Sequence, residues 1–158
     1  MKGPFAVLLA VATLVAPPAF AQEVVPVSRA DVPPAAGRPR VTLDLLDLSR
    51  APLAQPEEEW LRGVLAREAK LASWGAGRGA RIQYRFRVEE LTLTEEKGVL
   101  RARCAARGFL PRGKNAGSQV SFGGAPGNPG ALVRHVLEIV ARGVITRLAD
   151  LERRRRGA

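Results

Sequence analysis

RIQYRFRV, residues 81–88, alternates without exception. Ile82, Tyr84, Phe86 and Val88 point one way, and Arg81, Gln83, Arg85 and Arg87 the other, which is the period-2 signature of a strand with one buried face. At Glu89-Glu90 the phase slips, and Leu91 and Leu93 carry the apolar face onward. A second alternating run follows in VLRARCAARGFL, residues 99–110. The two runs predict a long hairpin closed by EEKG (95–98), with Gly98 at positive φ. In that register Thr94 faces Val99, Leu93 faces Leu100 and Leu91 faces Ala102. Glu89 and Glu90 together oppose Arg103, and Val88 faces Cys104, so the slip is a β-bulge that restores apolar pairing. The expected core face carries Ile82, Tyr84, Phe86, Val88, Leu91, Leu93, Leu100, Ala102, Cys104 and Ala106. The outer face carries Arg81, Arg85, Arg87, Thr92, Arg101, Arg103 and Arg107.

Upstream, VTLDLLDLS (41–49) reads as a strand with Val41, Leu43 and Leu45 on one face. A helix is expected from Pro56, whose missing N–H costs nothing at a first helical position. Glu57, Glu58 and Glu59 complement the positive end of its dipole. Leu61, Val64, Leu65, Glu68 and Ala72 form its stripe, with Trp60 and Leu71 at the edge, and Gly75 can end it. Residues 111–128 read as loop, with a short edge strand over Gln119–Phe122. Asn128 then caps a final helix that has Pro129 at its first position. Val133, Val136, Leu137, Val140, Val144, Leu148 and Leu151, broadened by Leu132, Ile139 and Ile145, make a wide apolar stripe. The expectation is an α+β two-layer sandwich: a three- to four-stranded sheet with a long bulged hairpin and two helices on one face. It occupies a single domain at 41–158.

The N-terminus has the pattern of a signal peptide at 1–21. Lys2 precedes an apolar run from Phe5 to Ala16, and Ala19-Phe20-Ala21 has the small-x-small pattern of a cleavage site. The run is shorter than the roughly 20 residues a spanning helix needs, so no transmembrane span is expected after cleavage. No cysteine follows it, so lipid anchoring is not indicated. A proline-rich disordered lead-in is expected at 22–40. Together these predict a periplasmic or secreted bacterial protein.

Charge changes this picture less than its size suggests. The chain carries a net charge of +10, with 21 arginines to 4 lysines. A GC-rich genome would produce that bias by itself. Cys104 is the only cysteine, which rules out an internal disulfide and fits a small buried hydrophobe.

The chemistry inventory is thin. His135, the only histidine, sits among apolar helix positions and reads as a helix-surface or partly packed residue. One histidine and one cysteine do not make a metal site, and no cofactor is expected. Glu57–Glu59 suit a helix start and Glu89–Glu90 face arginine, so neither set resembles the paired acids of a catalytic cleft. GAGRG (75–79) follows a helix and precedes a strand, the reverse of a dinucleotide loop, and GKNAGS lacks the glycine spacing of a phosphate loop. Enzymatic activity and nucleotide binding are therefore not expected. Two binding readings remain. One is an adaptor for another envelope protein, using an open sheet edge or the glycine-rich loop. The other is docking on an anionic lipid, cell-wall polymer or nucleic acid through Arg81, Arg85, Arg87, Arg101, Arg103 and Arg107, with Arg153, Arg154, Arg155 and Arg156 of the tail. Phe109 alone offers an aromatic platform on that face, which disfavours nucleic acid.

The hairpin, its cysteine-bearing strand, the glycine-rich loop and the final helix (GALVRHVLEIVARGVITRLADL) are similar in outline to small envelope domains of the curli-secretion and penicillin-binding-protein-activator type. The resemblance implies a non-enzymatic adaptor for envelope machinery and carries over no functional residues.

Overall fold

The alternation over 81–88 becomes the centre of a four-stranded sheet. A computed structural model describes residues 37–157 apart from 76, 78, 79, 125 and 126, all within one compact unit, Pro33–Ala158. The expected signal peptide and most of the expected lead-in lie outside the described residues. Strand β1 (Arg40–Asp47) leads through helix α1 (Gln55–Leu71) to the hairpin β2 (Arg81–Glu96) and β3 (Val99–Phe109). Strand β4 (Asn115–Gly124) and helix α2 (Pro129–Arg155) follow. The sheet order is β1-β2-β3-β4, with β1 parallel to β2 and the other pairs antiparallel. Helix α2 lies against β3 and β4, α1 lies against β1, and the helices touch each other. This is the expected α+β sandwich with both helices on one sheet face.

The core lies between those layers. Tyr84, Phe86, Val88, Cys104, Leu61, Leu65, Val136, Val140, Val144 and Leu148 are fully buried. Burying each large apolar side chain contributes roughly 1.5–3 kcal/mol. Gly108 lets α2 approach the sheet closely: a Cβ there would come within 2.5 Å of Leu148 and 2.6 Å of Val144. The Asn128 side chain accepts from the Ala131 amide and caps α2 as its sequence predicts. Helix α1 ends at Leu71, with Ala72 already extended. Gly75 does adopt positive φ, but beyond the helix end. The indole of Trp74 donates to the Ala69 carbonyl at 2.8 Å, satisfying a group the helix end leaves open.

Four expectations need correction. The hairpin turn is the two-residue Lys97–Gly98, not EEKG. Both residues have positive φ (52° and 75°), the geometry whose twist matches the flanking strands. Glu96 therefore pairs with Val99, and Leu91 faces Cys104 rather than Ala102. The bulge at Glu89 is real, but it opposes Ala105, not Arg103, and Val88 faces Ala106. A two-residue shift preserves which face each side chain takes, so the face assignment survives. Leu93 is nevertheless 42% exposed, because the hairpin tip extends beyond the core.

Strand β1 also carries an irregularity. Leu43 pairs with Tyr84, but the next pair is Leu45 with Arg85, leaving Asp44 as the extra residue. Leu45 is thereby turned to the outer face, against expectation, and Leu46 takes the core position. Finally, β4 spans ten residues where a short strand over Gln119–Phe122 is expected. Glycine and serine suit a strand over which α2 packs closely: a Cβ on Gly143 would come within 2.6 Å of Ser118 Oγ.

Candidate functional site

Among the described residues, no helix covers the second face of the sheet, and the β2–β3 register assembles the arginines on it. Arg85 and Arg87 come from β2, and Arg101, Arg103 and Arg107 from β3. The bulge of β1 adds Leu45 and Asp47 beside them. The arrangement is not a uniform cationic plate. Arg87 Nε donates to Asp47 Oδ2 at 2.6 Å. Arg107 pairs with Glu89 at 3.2 Å and Arg103 with Glu90 at 3.4 Å. The carboxylates at the bulge thus face two arginines, each taking one. With its amide turned, Gln119 offers its oxygen to Arg103 as well.

Asp47 is the most perturbed carboxylate here. The Ser49 hydroxyl donates to it at 2.7 Å and the Ser49 amide at 3.0 Å, on the same oxygen. These bonds, then the one from Arg87, hold its pKa down to about 2. Hydrogen bonds to the charged form are the dominant cause.

An apolar centre interrupts the charge. The guanidinium groups of Arg85 and Arg87 stand 6.0 and 5.6 Å from the Phe109 ring centroid. Leu45, Asp47, Phe86 and these three residues line a shallow cavity of about 90 Å³. Phe109 is the aromatic that sequence reasoning found. Leu45 and Asp47 are ones it missed, because LDLLDL supports either phase.

The remaining predicted contacts lie elsewhere. Arg101 sits toward the hairpin tip, and among the described residues no carboxylate is within ion-pair reach of Arg101 or Arg154. Arg153 pairs with Asp150 at 2.7 Å. Arg155 and Arg156 fold back on the buried Glu152, at 2.6 and 2.9 Å. The hydrogen bond from Arg155 lowers the Glu152 pKa, opposed by burial. The tail is thus partly neutralised by its own helix. Arg81, expected among the outer-face arginines, lies at the sheet end with Arg112, Arg155 and Arg156 around a cavity of about 180 Å³. The i, i+3, i+4 spacing of Glu152, Arg155 and Arg156 was the signal that could have shown this fold-back.

On the helix side, His135 is exposed and meets Phe122 edge-on at 4.9 Å. Cys104 is fully buried, and burial, with the nearby Glu90 charge, pushes its thiol up to about 12. A thiol so protonated is a poor nucleophile and a poor ligand. Glu68, also buried, accepts from Arg67 at 3.1 Å and from Arg142 at 3.4 Å, tying α1 to α2. Among the described residues, no helix is long and apolar enough to cross a membrane.

No protein-family model matches the chain, and no curated protein does. Solved structures that are loosely similar include two bacterial lipoproteins. A candidate lipoprotein of Caulobacter crescentus CB15 superposes with a TM-score of 0.35 at 11% identity, over 73% of this chain and 85% of its own. A minor lipoprotein of Acinetobacter baumannii superposes with a TM-score of 0.30 at 14% identity, over 74% of this chain and 92% of its own. Likenesses this loose say nothing about what this chain binds.

Proposed function

We propose that this chain is an exported, non-enzymatic binding module of the bacterial cell envelope that docks on another envelope protein through its uncovered sheet face. The signal pattern at 1–21 supports export. One observation carries the docking reading: the outer face alternates arginines with carboxylates beside an apolar centre. Arg87–Asp47 borders the cavity lined by Leu45 and Phe109, and Arg107–Glu89 and Arg103–Glu90 follow along the same face. Interfaces between proteins combine apolar cores, aromatics and arginine in this way. A polyanion would meet three built-in carboxylates on the same surface.

The test is photo-crosslinking in the native envelope. A photoreactive residue at Leu45 should yield a discrete protein adduct, and one at Leu71, exposed at the end of α1, should not. Replacing Arg85, Arg87, Arg101 and Arg107 with glutamine should weaken that adduct without abolishing it, because Leu45 and Phe109 keep the apolar centre. A second reading, docking on an anionic lipid or polymer, is favoured by the net charge of +10. It predicts the opposite: no protein adduct, and salt-sensitive adsorption that the four-glutamine variant abolishes.

A further inference from the structure

The cavity where β2 begins, β3 ends and α2 ends is built from residues far apart in sequence. Arg81, Arg112, Arg155 and Arg156 line it together with Ile82, Leu110, Pro111 and one carboxylate, Glu152. Four guanidinium groups and one carboxylate thus line the cavity. The C-terminal end of α2 carries the negative end of its dipole and offsets part of this charge. Glu152 receives Arg155 through both Nε and Nη2, at 2.8 and 2.6 Å, and Arg156 through Nε at 2.9 Å. It therefore holds two guanidinium groups in fixed places rather than cancelling the cluster. Ile82 and Leu110 are buried and supply an apolar floor. Arg112 has φ 70° and ψ 25°, a conformation glycine adopts more cheaply.

We propose that this cavity binds a small phosphate-type dianion, with Arg81, Arg112 and Arg155 as its ligands and Glu152 as a positioning residue. Guanidinium groups match phosphate oxygens in charge and geometry. At about 180 Å³ the cavity takes one compact anionic group and not a polymer segment. The site is separate from the proposed docking face and does not depend on it. The group could be free phosphate or a phosphomonoester displayed on a lipid surface.

Two titrations at constant ionic strength separate these sources. The first adds inorganic phosphate, with chloride as control, and follows guanidinium and backbone resonances. The second adds zwitterionic vesicles with or without phosphatidic acid. Arg112→Gly is the key variant, because glycine fits the turn and the fold should melt no lower. Losing one charged ligand should weaken binding about tenfold or more. Arg81→Gln should do the same, whereas Arg101→Gln, at the far end of the sheet, should change nothing. Saturable phosphate binding lost in the first two variants supports the site with a free ligand. Binding only to phosphatidic acid vesicles, lost in the same variants, supports it with a lipid one. Binding to neither, or binding that both variants retain, overturns it.

Discussion

The bulge at Glu89 lies in a strand paired on both sides, whereas the bulge at Asp44 lies in an edge strand paired only to β2. Each inserts one residue, and each re-aims the side chains beyond it. In β2 the insertion preserves an apolar face already committed to the core: Ile82, Tyr84, Phe86 and Val88 before it, Leu91 after it. In β1 it does the reverse, turning Leu45 out and carrying Asp47 to Arg87. The same backbone device thus protects the core in one strand and builds the outer surface in the other. The number of buried side chains that depend on the phase makes the difference.

Breaking the phase of β2 should have the largest effect. Deleting Arg87 would leave Val88, Glu89 and Glu90 between Phe86 and Leu91, so that regular pairing turns Val88 out and Glu89 into the core. Loss of cooperative unfolding in circular dichroism is expected. Deleting Glu89 removes only the extra residue and leaves Val88 and Leu91 on the core face, so it should cost little more than Glu89→Ala, within about 1 kcal/mol as for an exposed ion pair. Deleting Thr42 in β1 should be milder than deleting Arg87, because Val41 and Leu43 are only half-buried. If the Arg87 and Thr42 deletions proved equally harmful, the contrast between the strands would fail.

The phase of β1 itself can be tested with two alanines. Leu46 is 7% exposed and Leu45 49%. Leu46→Ala should therefore cost about 2–4 kcal/mol in denaturant melts. Leu45→Ala should cost less than about 1 kcal/mol. The reverse order would restore the regular strand that 41–49 suggests.

The smallest effect concerns Asp47, whose contact with Arg87 marks the β1 bulge chemically. Its folded pKa lies below its unfolded value of 3.8. It therefore contributes stability above pH about 4 that is lost as pH falls through about 2. Ser49→Ala should move the Asp47 titration upward further than Arg87→Gln, since the serine hydroxyl is the larger cause. Carboxyl chemical shifts followed by NMR would show it. A larger shift in Arg87→Gln would mean that ionic attraction dominates over the turn.

Legibility followed redundancy. In β2 and β3 the apolar positions are many and unanimous, so the strands, the existence of the bulge and the two faces could be read directly. The wide stripe and Asn128 cap of α2 were equally plain. The hairpin register was not, because a shift of two residues leaves every side chain on the same face, and only the backbone twist at Lys97–Gly98 selects the turn. LDLLDL offered two phases of equal hydrophobicity, and the choice went to whichever leucine the helix layer could bury. Strand β4 was hidden because its glycines and serines have weak strand preference, and pairing with β3 under α2 compensates for that.

The candidate sites divide in the same way. Most arginines of the outer face follow from period-2 alternation alone, as does Phe109. Their pairing with Glu89, Glu90 and Asp47 depends on register across strands. The cavity joining Arg81, Arg112, Arg155 and Arg156 depends on where the ends of three elements meet. Local sequence determined the helices and the faces of β2 and β3, because periodicity is a property of one strand or helix. Only the tertiary structure decided which charges meet, because that depends on pairing register and layer packing between segments many residues apart.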